Sequence, residues 1–331
     1  MARPRRGPAA VQRTRPAPAE GGPRVHRLRD RESVTFTTRF APSPTGPLHL
    51  GHAFSAMLAH DMATRAGGRF LLRIEDLDAD RSKPEWEATI LDDLRWLGLD
   101  WPEPVMRQSE RTESYWQALD RLAELGLTYP CSCSRGDIRR ALAAPQEGAD
   151  PVAGPDGLVY PGTCRGRPLH DAGPEDAVRL DMAAALATLG SLPEWDETGE
   201  APGRRRLDPE WMVSGVGDVV LARRGGGIAY HLAVVVDDAA QGVTHVVRGA
   251  DLAEATAIHV LLQTLLGLPR PTYHHHRLIR DAEGRRLAKR DDARAIGLYR
   301  GEGATPADLR AMVDLPASGS GIDNGAAPVL P

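Results

Sequence analysis

The chain has 331 residues, of which 41% are hydrophobic, and its length corresponds to roughly two domains. No apolar run approaches the roughly 18–20 residues of a membrane helix, and the N-terminus lacks the apolar core of a secretory signal, so we expect a cytoplasmic protein without membrane contact. Residues 1–31 hold nine arginines and two acidic residues, whereas the whole chain carries −4, so the body is acidic and is not expected to bind nucleic acids generally.

The predicted elements start after residues 1–33, an Arg/Pro-rich leader whose composition indicates disorder. Residues 34–41 alternate apolar and polar side chains, which predicts a strand, and the prolines and glycine that follow predict a loop. A helix is predicted at residues 49–66 and a second, buried strand at residues 70–74. This order is typical of a βαβ unit, so we predict an α/β fold with a parallel sheet.

Later elements continue the alternation of helices and strands. Ser82 and Glu85 predict a capping box at the start of a helix that ends at Gly98. Helices are also predicted at residues 110–125, 250–266 and 306–313, and strands at residues 228–237, 243–248 and 272–280. Residues 316–331 are rich in Ala, Gly, Pro and Ser, which predicts a disordered tail.

The segment RFAPSPTGPLHLGH, residues 39–52, places a loop restrained by proline and glycine between the first strand and the first helix. His49 and His52 fall at the predicted helix start, where unpaired backbone N–H groups and the helix dipole favour phosphates. Both imidazoles can reach a triphosphate and stabilise its developing charge, and Gly51 lets a nucleotide approach the backbone closely. The segment therefore predicts an ATP site.

RFAPSPTG followed by HLGH resembles the opening signature of the glutamyl-tRNA synthetase branch of the class I aminoacyl-tRNA synthetases. The resemblance runs from about residue 35 to about residue 300. It implies a Rossmann-like, parallel-sheet catalytic domain over residues 34–315, with a zinc-bearing insert at about 129–215 and no anticodon-binding domain. It also implies an ATP-dependent ligase that activates L-glutamate.

A basic segment downstream, GRRLAKR, resembles the lysine loop of the same family. Residues 286–290 match it with Arg in place of the first Lys and Ala in place of Ser. Only Lys83 and Lys289 are lysines among the 41 basic residues, so Lys289 stands out in an arginine-rich chain. By resemblance, its ammonium would follow the leaving pyrophosphate and stabilise charge in the transition state.

The resemblance further implies a pocket for glutamate. Arg39 would bind the side-chain carboxylate through its guanidinium fork, a contact that distinguishes glutamate from glutamine. Glu75 would hold the substrate ammonium. The remaining pocket residues would be Ala41, Ser43, Tyr230 and Arg248.

Three cysteines, Cys131, Cys133 and Cys164, lie close together in sequence. An odd number of cysteines without a secretion signal argues against a disulfide framework, whereas thiolates are good zinc ligands. A closed tetrahedral site needs a fourth ligand. Tyr160 matches the position of a tyrosine ligand in a short paralogue of the resembled branch, and His170 is the alternative. We expect one Zn²⁺ per chain, which would stabilise the loop-rich insert.

About forty residues follow the lysine loop, too few for the helical anticodon-binding region of a full glutamyl-tRNA synthetase. The resemblance therefore narrows to a truncated paralogue family, the glutamyl-Q tRNA(Asp) synthetases. It implies tRNA-independent formation of glutamyl-adenylate with Mg²⁺ and ATP, then transfer of glutamate to the queuosine cyclopentenediol in the anticodon loop of tRNA(Asp), by a monomer. The alternatives are a truncated glutamyl-tRNA synthetase that charges a tRNA 3′ end, a nucleotidyltransferase, and a non-catalytic tRNA-binding module.

Overall fold

The chain divides into two units, Met1–Val34 and Thr35–Pro331. A computed structural model describes residues 35–143, 153–280 and 294–316, all within the second unit. The predicted leader, and the predicted tail beyond Pro316, lie outside the described residues. None of the helices in the described ranges has the length and apolarity to cross a membrane.

The described elements alternate along the chain as an α/β fold requires. The strands are β1 (Thr37–Phe40), β2 (Arg69–Ile74), β3 (Met106–Arg107), β4 (Thr128–Cys131), β5 (Ala153–Gly154), β6 (Gly157–Leu158), β7 (Ala177–Leu180), β8 (Glu194–Glu197), β9 (Gly203–Arg206), β10 (Val220–Ala222), β11 (His245–Gly249) and β12 (Thr272–His276). The helices are α1 (Leu50–Arg65), α2 (Pro84–Trp96), α3 (Thr112–Glu124), α4 (Arg135–Ala143), α5 (Met182–Ala187), α6 (Pro209–Trp211), α7 (Tyr230–Ala240), α8 (Thr256–Leu266), α9 (Ile296–Gly301) and α10 (Pro306–Met312).

The first three elements form the predicted βαβ unit. β1 pairs in parallel with β2, and β2 pairs in parallel with β3. α1 connects β1 to β2 and buries Phe54 and Met57. The connection is tight at Gly68, because a Cβ atom there would lie 2.0 Å from the carbonyl oxygen of Phe36. The prediction of a parallel α/β fold is confirmed by this arrangement.

A second sheet, of order β11-β12-β8-β9, lies beside the first. β11 and β12 are parallel, and the N–H of Thr244 donates to the carbonyl oxygen of Thr37 at 3.0 Å, which joins β11 to β1. β1, β11 and β12 therefore end at the same edge, at Phe40, Gly249 and His276. Ligands of open α/β sheets bind at such carboxyl ends.

A third, antiparallel sheet of order β10-β7-β4 carries the first cysteine at the end of β4. The short hairpin β5-β6 lies close to it in sequence. The main apolar cluster packs α3, α7 and α8 together with these strands, and a second cluster packs α1, α2 and α10 against the first sheet. The helices thus pack on the sheets, whereas the carboxyl ends of β1, β11 and β12 border a cavity.

Near its end, α7 carries two adjacent buried carboxylates. Asp237 accepts hydrogen bonds from Nε2 of Gln108 at 2.9 Å, Nε of Arg111 at 2.6 Å and Oη of Tyr115 at 2.7 Å. Because a buried carboxylate without partners is costly, these donors stabilise the junction between α3 and α7. Asp238 binds arginines of the first sheet instead.

Two local predictions were wrong. Residues 228–237, predicted as a strand, fall largely in the helix α7, because a fully buried apolar run shows no period that separates helix from strand. Ser82 is not a helix cap: Lys83 is the N-cap of α2 and Pro84 its first residue, an arrangement that needs no side-chain cap. The helices predicted at 110–125, 250–266 and 306–313 are present as α3, α8 and α10.

Candidate active site

The start of α1 is organised by the two histidines of the HLGH segment. Nδ1 of His49 accepts the N–H of Gly51 at 3.1 Å, and Nδ1 of His52 accepts the N–H of His49 at 3.2 Å. The two imidazole rings stack with their centroids 3.7 Å apart. A Cβ atom on Gly51 would lie 3.1 Å from the His49 ring, so glycine keeps this turn compact. The helix N-terminus therefore presents two ordered imidazoles where anions are favoured.

A cavity of about 330 Å³ opens beside these histidines, at the carboxyl ends of β1, β11 and β12. One wall consists of the start of α1, with His49, Gly51 and His52. The opposite wall includes Arg248 and residues 276–279. Lys289 lies outside the described residues, so its predicted place at this site stays a prediction. The cavity thus brings together three of the four predicted nucleotide residues, His49, Gly51 and His52, and one predicted glutamate ligand, Arg248.

Arg39 lies at 4% exposure in β1 and is held by a carboxylate of the protein. Its Nε and Nη2 lie 3.0 and 3.4 Å from the two carboxylate oxygens of Asp238, and Nη1 donates to the carbonyl oxygen of Val247 at 3.4 Å. Asp238 thus occupies one edge of the guanidinium. A substrate carboxylate would have to use the N–H groups that remain.

Glu75 follows β2 and pairs with Arg73, a fully buried arginine with no predicted role. Nη2 of Arg73 donates to Oε1 of Glu75 at 3.0 Å, and Nη1 donates to Asp238 at 2.7 Å. Burial raises the pKa of Glu75, whereas Arg73 opposes that rise. Arg73 therefore connects the carboxylates of Glu75 and Asp238.

Tyr230 opens α7 beside the same group of charges. Burial raises the pKa of its hydroxyl, and the charges of Arg248, Glu75 and Arg39 act on it as well. The four predicted pocket residues, Arg39, Glu75, Tyr230 and Arg248, are therefore close enough for their charges to act on the Tyr230 hydroxyl. Of these four, Arg39 and Glu75 form ion pairs with other residues of the protein.

The loop after β1 borders this neighbourhood. Ala41 is half-buried, whereas the side chain of Ser43 is exposed. The carbonyl oxygen of Pro42, between them, accepts the N–H of Glu75 at 3.0 Å. This bond fixes the loop to the end of β2, so both predicted residues lie next to Glu75 along the backbone.

The three thiols converge as predicted from the cysteine spacing. The Sγ atoms of Cys131, Cys133 and Cys164 all lie within 4.8 Å of one another. Oη of Tyr160 lies 3.3 Å from Sγ of Cys131 and 3.4 Å from Sγ of Cys133. The side chain of His170, by contrast, is 81% exposed and pairs with a surface carboxylate. The geometry favours Tyr160 over His170 as the fourth member of the group.

These donors fit a tetrahedral metal. Zinc bonds to sulfur of about 2.3 Å imply sulfur–sulfur separations of roughly 3.8 Å, close to the 3.5 Å between Cys133 and Cys164. Burial raises the pKa of Cys133 to about 11. Burial also acts to raise the pKa of Cys164, but hydrogen bonds from Tyr160 and Ser132 outweigh it and lower the value to about 6. The cluster therefore already favours one thiolate, the form that binds metal.

Loss of one thiol is expected to release the metal. We expect one zinc per chain by elemental analysis and less than about one tenth of that in Cys131→Ser, because structural zinc requires four ligands. The matched control is Ser132→Ala, which removes a neighbouring hydroxyl and keeps all three thiols. Equal zinc content in wild type and Cys131→Ser would contradict the site.

Several residues of this region were not predicted. Arg73, Asp238 and His259 are shown only by the fold, as is the contact of His275 with Arg248. The sequence does contain one indication of a buried ion pair. Asp238 lies at the end of an apolar run, and a carboxylate buried at such a position needs a charged or hydrogen-bonding partner. The histidines gave no such signal.

The comparisons with known proteins agree on a family. The family model for the catalytic domain of class I tRNA synthetases (E and Q) matches residues 35–152 and 207–318. The glutamyl-Q tRNA(Asp) synthetase of Rhodobacter capsulatus is 64% identical over 84% of this chain and 99% of its own length. The protein of the same name from Nocardia farcinica is 45% identical over 83% of this chain and 82% of its own length.

Solved structures give the same fold. A glutamate tRNA ligase from Elizabethkingia meningosepticum, solved with its amino acid, aligns with a TM-score of 0.66 and 27% identity over 84% of this chain. The chain spans 60% of that ligase's length. Methionyl-tRNA synthetase from Mycobacterium tuberculosis aligns with a TM-score of 0.55 and 11% identity, covering 64% of its own length, which shows a shared fold alone.

Proposed function

The chain belongs to the glutamyl-Q tRNA(Asp) synthetase family of class I synthetase-like ligases, and from this premise we propose that it activates L-glutamate with ATP and transfers it to a queuosine-bearing tRNA(Asp). Membership itself establishes a ligase related to glutamate–tRNA ligases. The acceptor, the independence from tRNA in the first step and the residue roles are our proposal. The observation that carries it is that His49, His52 and Arg248 line one cavity.

In the first step, an oxygen of the substrate α-carboxylate attacks the α-phosphorus of ATP. The bond between that phosphorus and the bridging oxygen breaks, and pyrophosphate leaves with the electron pair. His49 and His52 at the start of α1 would stabilise the charge that develops on the phosphates. Mg²⁺, bound with ATP, would neutralise part of the phosphate charge. The product is glutamyl-adenylate.

The charges of the pocket suit glutamate. Arg248 lines the cavity, and Asp238 and Arg73 link Arg39 to Glu75 through ion pairs. We propose that the arginines bind the substrate carboxylate groups and that Glu75, with Tyr230, orients the ammonium. A side-chain amide offers one acceptor oxygen where a carboxylate offers two, so its NH2 group would face a guanidinium donor, which costs free energy and would exclude glutamine.

Lys289 would act on the leaving pyrophosphate in the same step. We expect Lys289→Ala to slow glutamate-dependent ATP–pyrophosphate exchange by about 10²-fold, because a positioned cation that stabilises transition-state charge contributes roughly that much. Lys83→Ala is the matched control, since Lys83 is the other lysine and is exposed at the start of α2. Equal exchange rates in wild type and Lys289→Ala would remove Lys289 from this role.

In the second step, a hydroxyl of the queuosine cyclopentenediol would attack the acyl carbon of the adenylate. The acyl–oxygen bond to AMP breaks, AMP leaves with the electron pair, the hydroxyl proton passes to water, and glutamate remains as an ester on the tRNA base. RNA loops present unstacked bases that a protein can bind individually. The name of the relatives at 64% and 45% identity supports this acceptor.

The remaining assignments belong to the same proposal. Residues 34–315 form the catalytic domain, with an insert at about 129–215 that carries zinc on Cys131, Cys133, Cys164 and Tyr160. Zinc bound by four protein ligands is structural, so it would stabilise the insert and take no part in the chemistry. We propose that the enzyme is a cytoplasmic monomer.

Acceptor mapping tests the proposal. The full chain is incubated with labelled glutamate, ATP and tRNA(Asp) isolated from cells that make queuosine, and the tRNA is then cut into anticodon and 3′ fragments. We expect the label in the anticodon fragment. The matched control is the same tRNA transcribed in vitro, which carries no modified bases and should remain unlabelled.

Two outcomes would contradict the proposal. Label on the 3′-terminal adenosine would identify a truncated glutamyl-tRNA synthetase instead. Absence of ATP–pyrophosphate exchange with glutamate alone, together with exchange after tRNA is added, would show that activation requires tRNA.

A further inference from the structure

Arg248 is held by a series of hydrogen bonds that runs from the buried His259 to the exposed residue Asp156. Its Nη1 lies 3.1 Å from Nδ1 of His259, whose Nε2 lies 3.0 Å from Nδ1 of His231. Nε2 of His231 lies 3.2 Å from a carboxylate oxygen of Asp156. We call these four residues, Arg248, His259, His231 and Asp156, the histidine relay. They come from β11, α8, α7 and the turn of the hairpin β5-β6.

The chemistry of the two ends fixes the proton positions in the relay. A guanidinium only donates, so Nδ1 of His259 must accept and its Nε2 must carry the proton. That proton is donated to Nδ1 of His231, which leaves Nε2 of His231 protonated and directed at the carboxylate of Asp156. The neutral tautomer with its proton on Nε2, at both rings, therefore satisfies every contact. The tautomer with its proton on Nδ1 would place two N–H donors opposite each other.

Burial favours the neutral form of His259. His259 is 2% exposed and His231 6%. Burial, followed by the charge of Arg248, lowers the pKa of His259 well below its usual value. An imidazolium at this position would lie directly against the guanidinium. The ring is therefore suited to accept from Arg248 and unsuited to carry charge.

A second, shorter series of hydrogen bonds, through His275 and Glu197, also holds Arg248. Nε of Arg248 donates to Nε2 of His275 at 3.1 Å, and Nδ1 of His275 lies 2.5 Å from a carboxylate oxygen of Glu197. Burial opposes the charge of Glu197, but hydrogen bonds from His275 and Gly199 outweigh it and lower its pKa to about 2. Glu197 is thus ionised and fixes the tautomer of His275, as Asp156 does for His231.

Both terminal carboxylates lie in residues 153–206, the stretch between the two segments that the family model matches. Asp156 is placed by the hairpin β5-β6, which packs tightly against a neighbouring helical turn. A Cβ atom on Gly154 would lie 2.1 Å from the carbonyl oxygen of Gly215, so the hairpin backbone cannot shift inward. The unmatched stretch therefore supports Arg248 from two sides, through Asp156 and Glu197.

We infer that the histidine relay positions Arg248 for glutamate, with Asp156 setting the tautomers and His259 setting the direction of the guanidinium. The inference rests on the proposed role of Arg248 as a glutamate ligand. Four of its five N–H groups have partners among the described residues: His275, His259, Thr256 and the Leu252 carbonyl. The fifth N–H is on Nη1, the same nitrogen that His259 holds. His259 thus holds the nitrogen that carries the remaining donor, which makes it a positioning residue.

The tautomers can be measured directly in the wild-type protein. Long-range ¹⁵N–¹H correlation spectra of the full, ¹⁵N-labelled chain separate the two neutral tautomers and the imidazolium, and signals can be assigned from single His→Asn variants. At pH 7.5 we expect both His231 and His259 as neutral rings with the proton on Nε2. A proton on Nδ1 of either ring, or an imidazolium at either, would overturn the inference.

A matched pair of variants tests the consequence for substrate binding. His259→Leu removes the acceptor, whereas His259→Asn keeps an amide oxygen near the position of Nδ1. We expect His259→Leu to raise the KM for glutamate about tenfold, with kcat and the KM for ATP changed less than about twofold, and His259→Asn to restore the KM to within about threefold of wild type. Thermal unfolding of both variants checks that they are folded.

The outcomes separate this inference from the proposed function. If wild type exchanges pyrophosphate with glutamate but His259→Leu, folded, keeps the wild-type KM for glutamate, the relay is wrong and the function stands. If His259→Leu and His259→Asn are equally impaired, the hydrogen bond is not the cause and the inference also fails. If wild type activates no glutamate while the spectra show the expected tautomers, the proposed function is contradicted. The hydrogen bonds of the relay are then confirmed, but its role in glutamate binding is contradicted as well.

Discussion

Replacement of His52 by alanine is expected to slow ATP–pyrophosphate exchange by about 10²- to 10³-fold while the protein remains folded. Removal of a single preorganised group that stabilises developing charge costs roughly that much in known enzymes. His52 is half-buried, lines the cavity and accepts the N–H of His49, so its ring is ordered before the nucleotide arrives. The measurement is exchange at saturating glutamate over a range of ATP concentrations.

The matched control is another histidine of the same helix. His60 lies two turns further along α1 and pairs with Asp100 at the surface, away from the cavity. His60→Ala should keep wild-type exchange. Wild-type exchange in His52→Ala, or an equal loss in His60→Ala, would contradict the role of His52, and circular dichroism of both variants excludes unfolding as the cause.

Arg39→Ala is expected to raise the KM for glutamate by about 10²-fold or more, with little change in the KM for ATP. Loss of one partner from a buried, hydrogen-bonded charge pair costs about 2–5 kcal/mol, which corresponds to a factor of this size. The same change leaves Asp238 with Arg73 as its remaining arginine partner, so stability should fall as well. Steady-state exchange kinetics in both substrates measure the first effect and thermal unfolding the second.

A conservative variant separates the two effects. Arg39→Lys keeps a cation for Asp238 but loses the planar fork, so it should recover stability and leave glutamate binding weak. Arg69→Ala is the control for loss of an arginine from the first sheet, because Arg69 is exposed at the start of β2. If the KM values for ATP and glutamate rise together in Arg39→Ala, the assignment of Arg39 to the glutamate pocket is incorrect.

The sequence was most informative where local signals dominate. The unit β1-α1-β2 was predicted from a loop rich in proline and glycine, the start of a helix and the glycines that end it. The structure confirms the unit, with α1 between two parallel strands. The convergence of Cys131, Cys133 and Cys164 was likewise predictable from their spacing. These features depend on residues close in sequence or on a known ligand geometry.

Long-range electrostatic contacts were not predictable from the sequence. Arg39 and Asp238 are 199 residues apart and Arg73 and Asp238 are 165 apart, so no periodicity relates them. α7 was predicted as a strand because its valines favour strands, but burial against α3 and α8 decides its form. The assignment of Arg39 and Glu75 to a glutamate pocket rests on resemblance, whereas the partners that hold both side chains are shown by the fold.

One helix carries contacts at both of its ends. Tyr230 begins α7, and Asp237 and Asp238 lie near its end, so about 10 Å of rigid backbone connects a pocket hydroxyl to two carboxylates that hold three arginines. Enlarging or shrinking a buried side chain in its middle, such as Val234, would therefore displace both ends together. Engineers who wish to change the amino acid that this scaffold accepts should leave the packing of α7 intact and alter residues that approach the substrate from the loops.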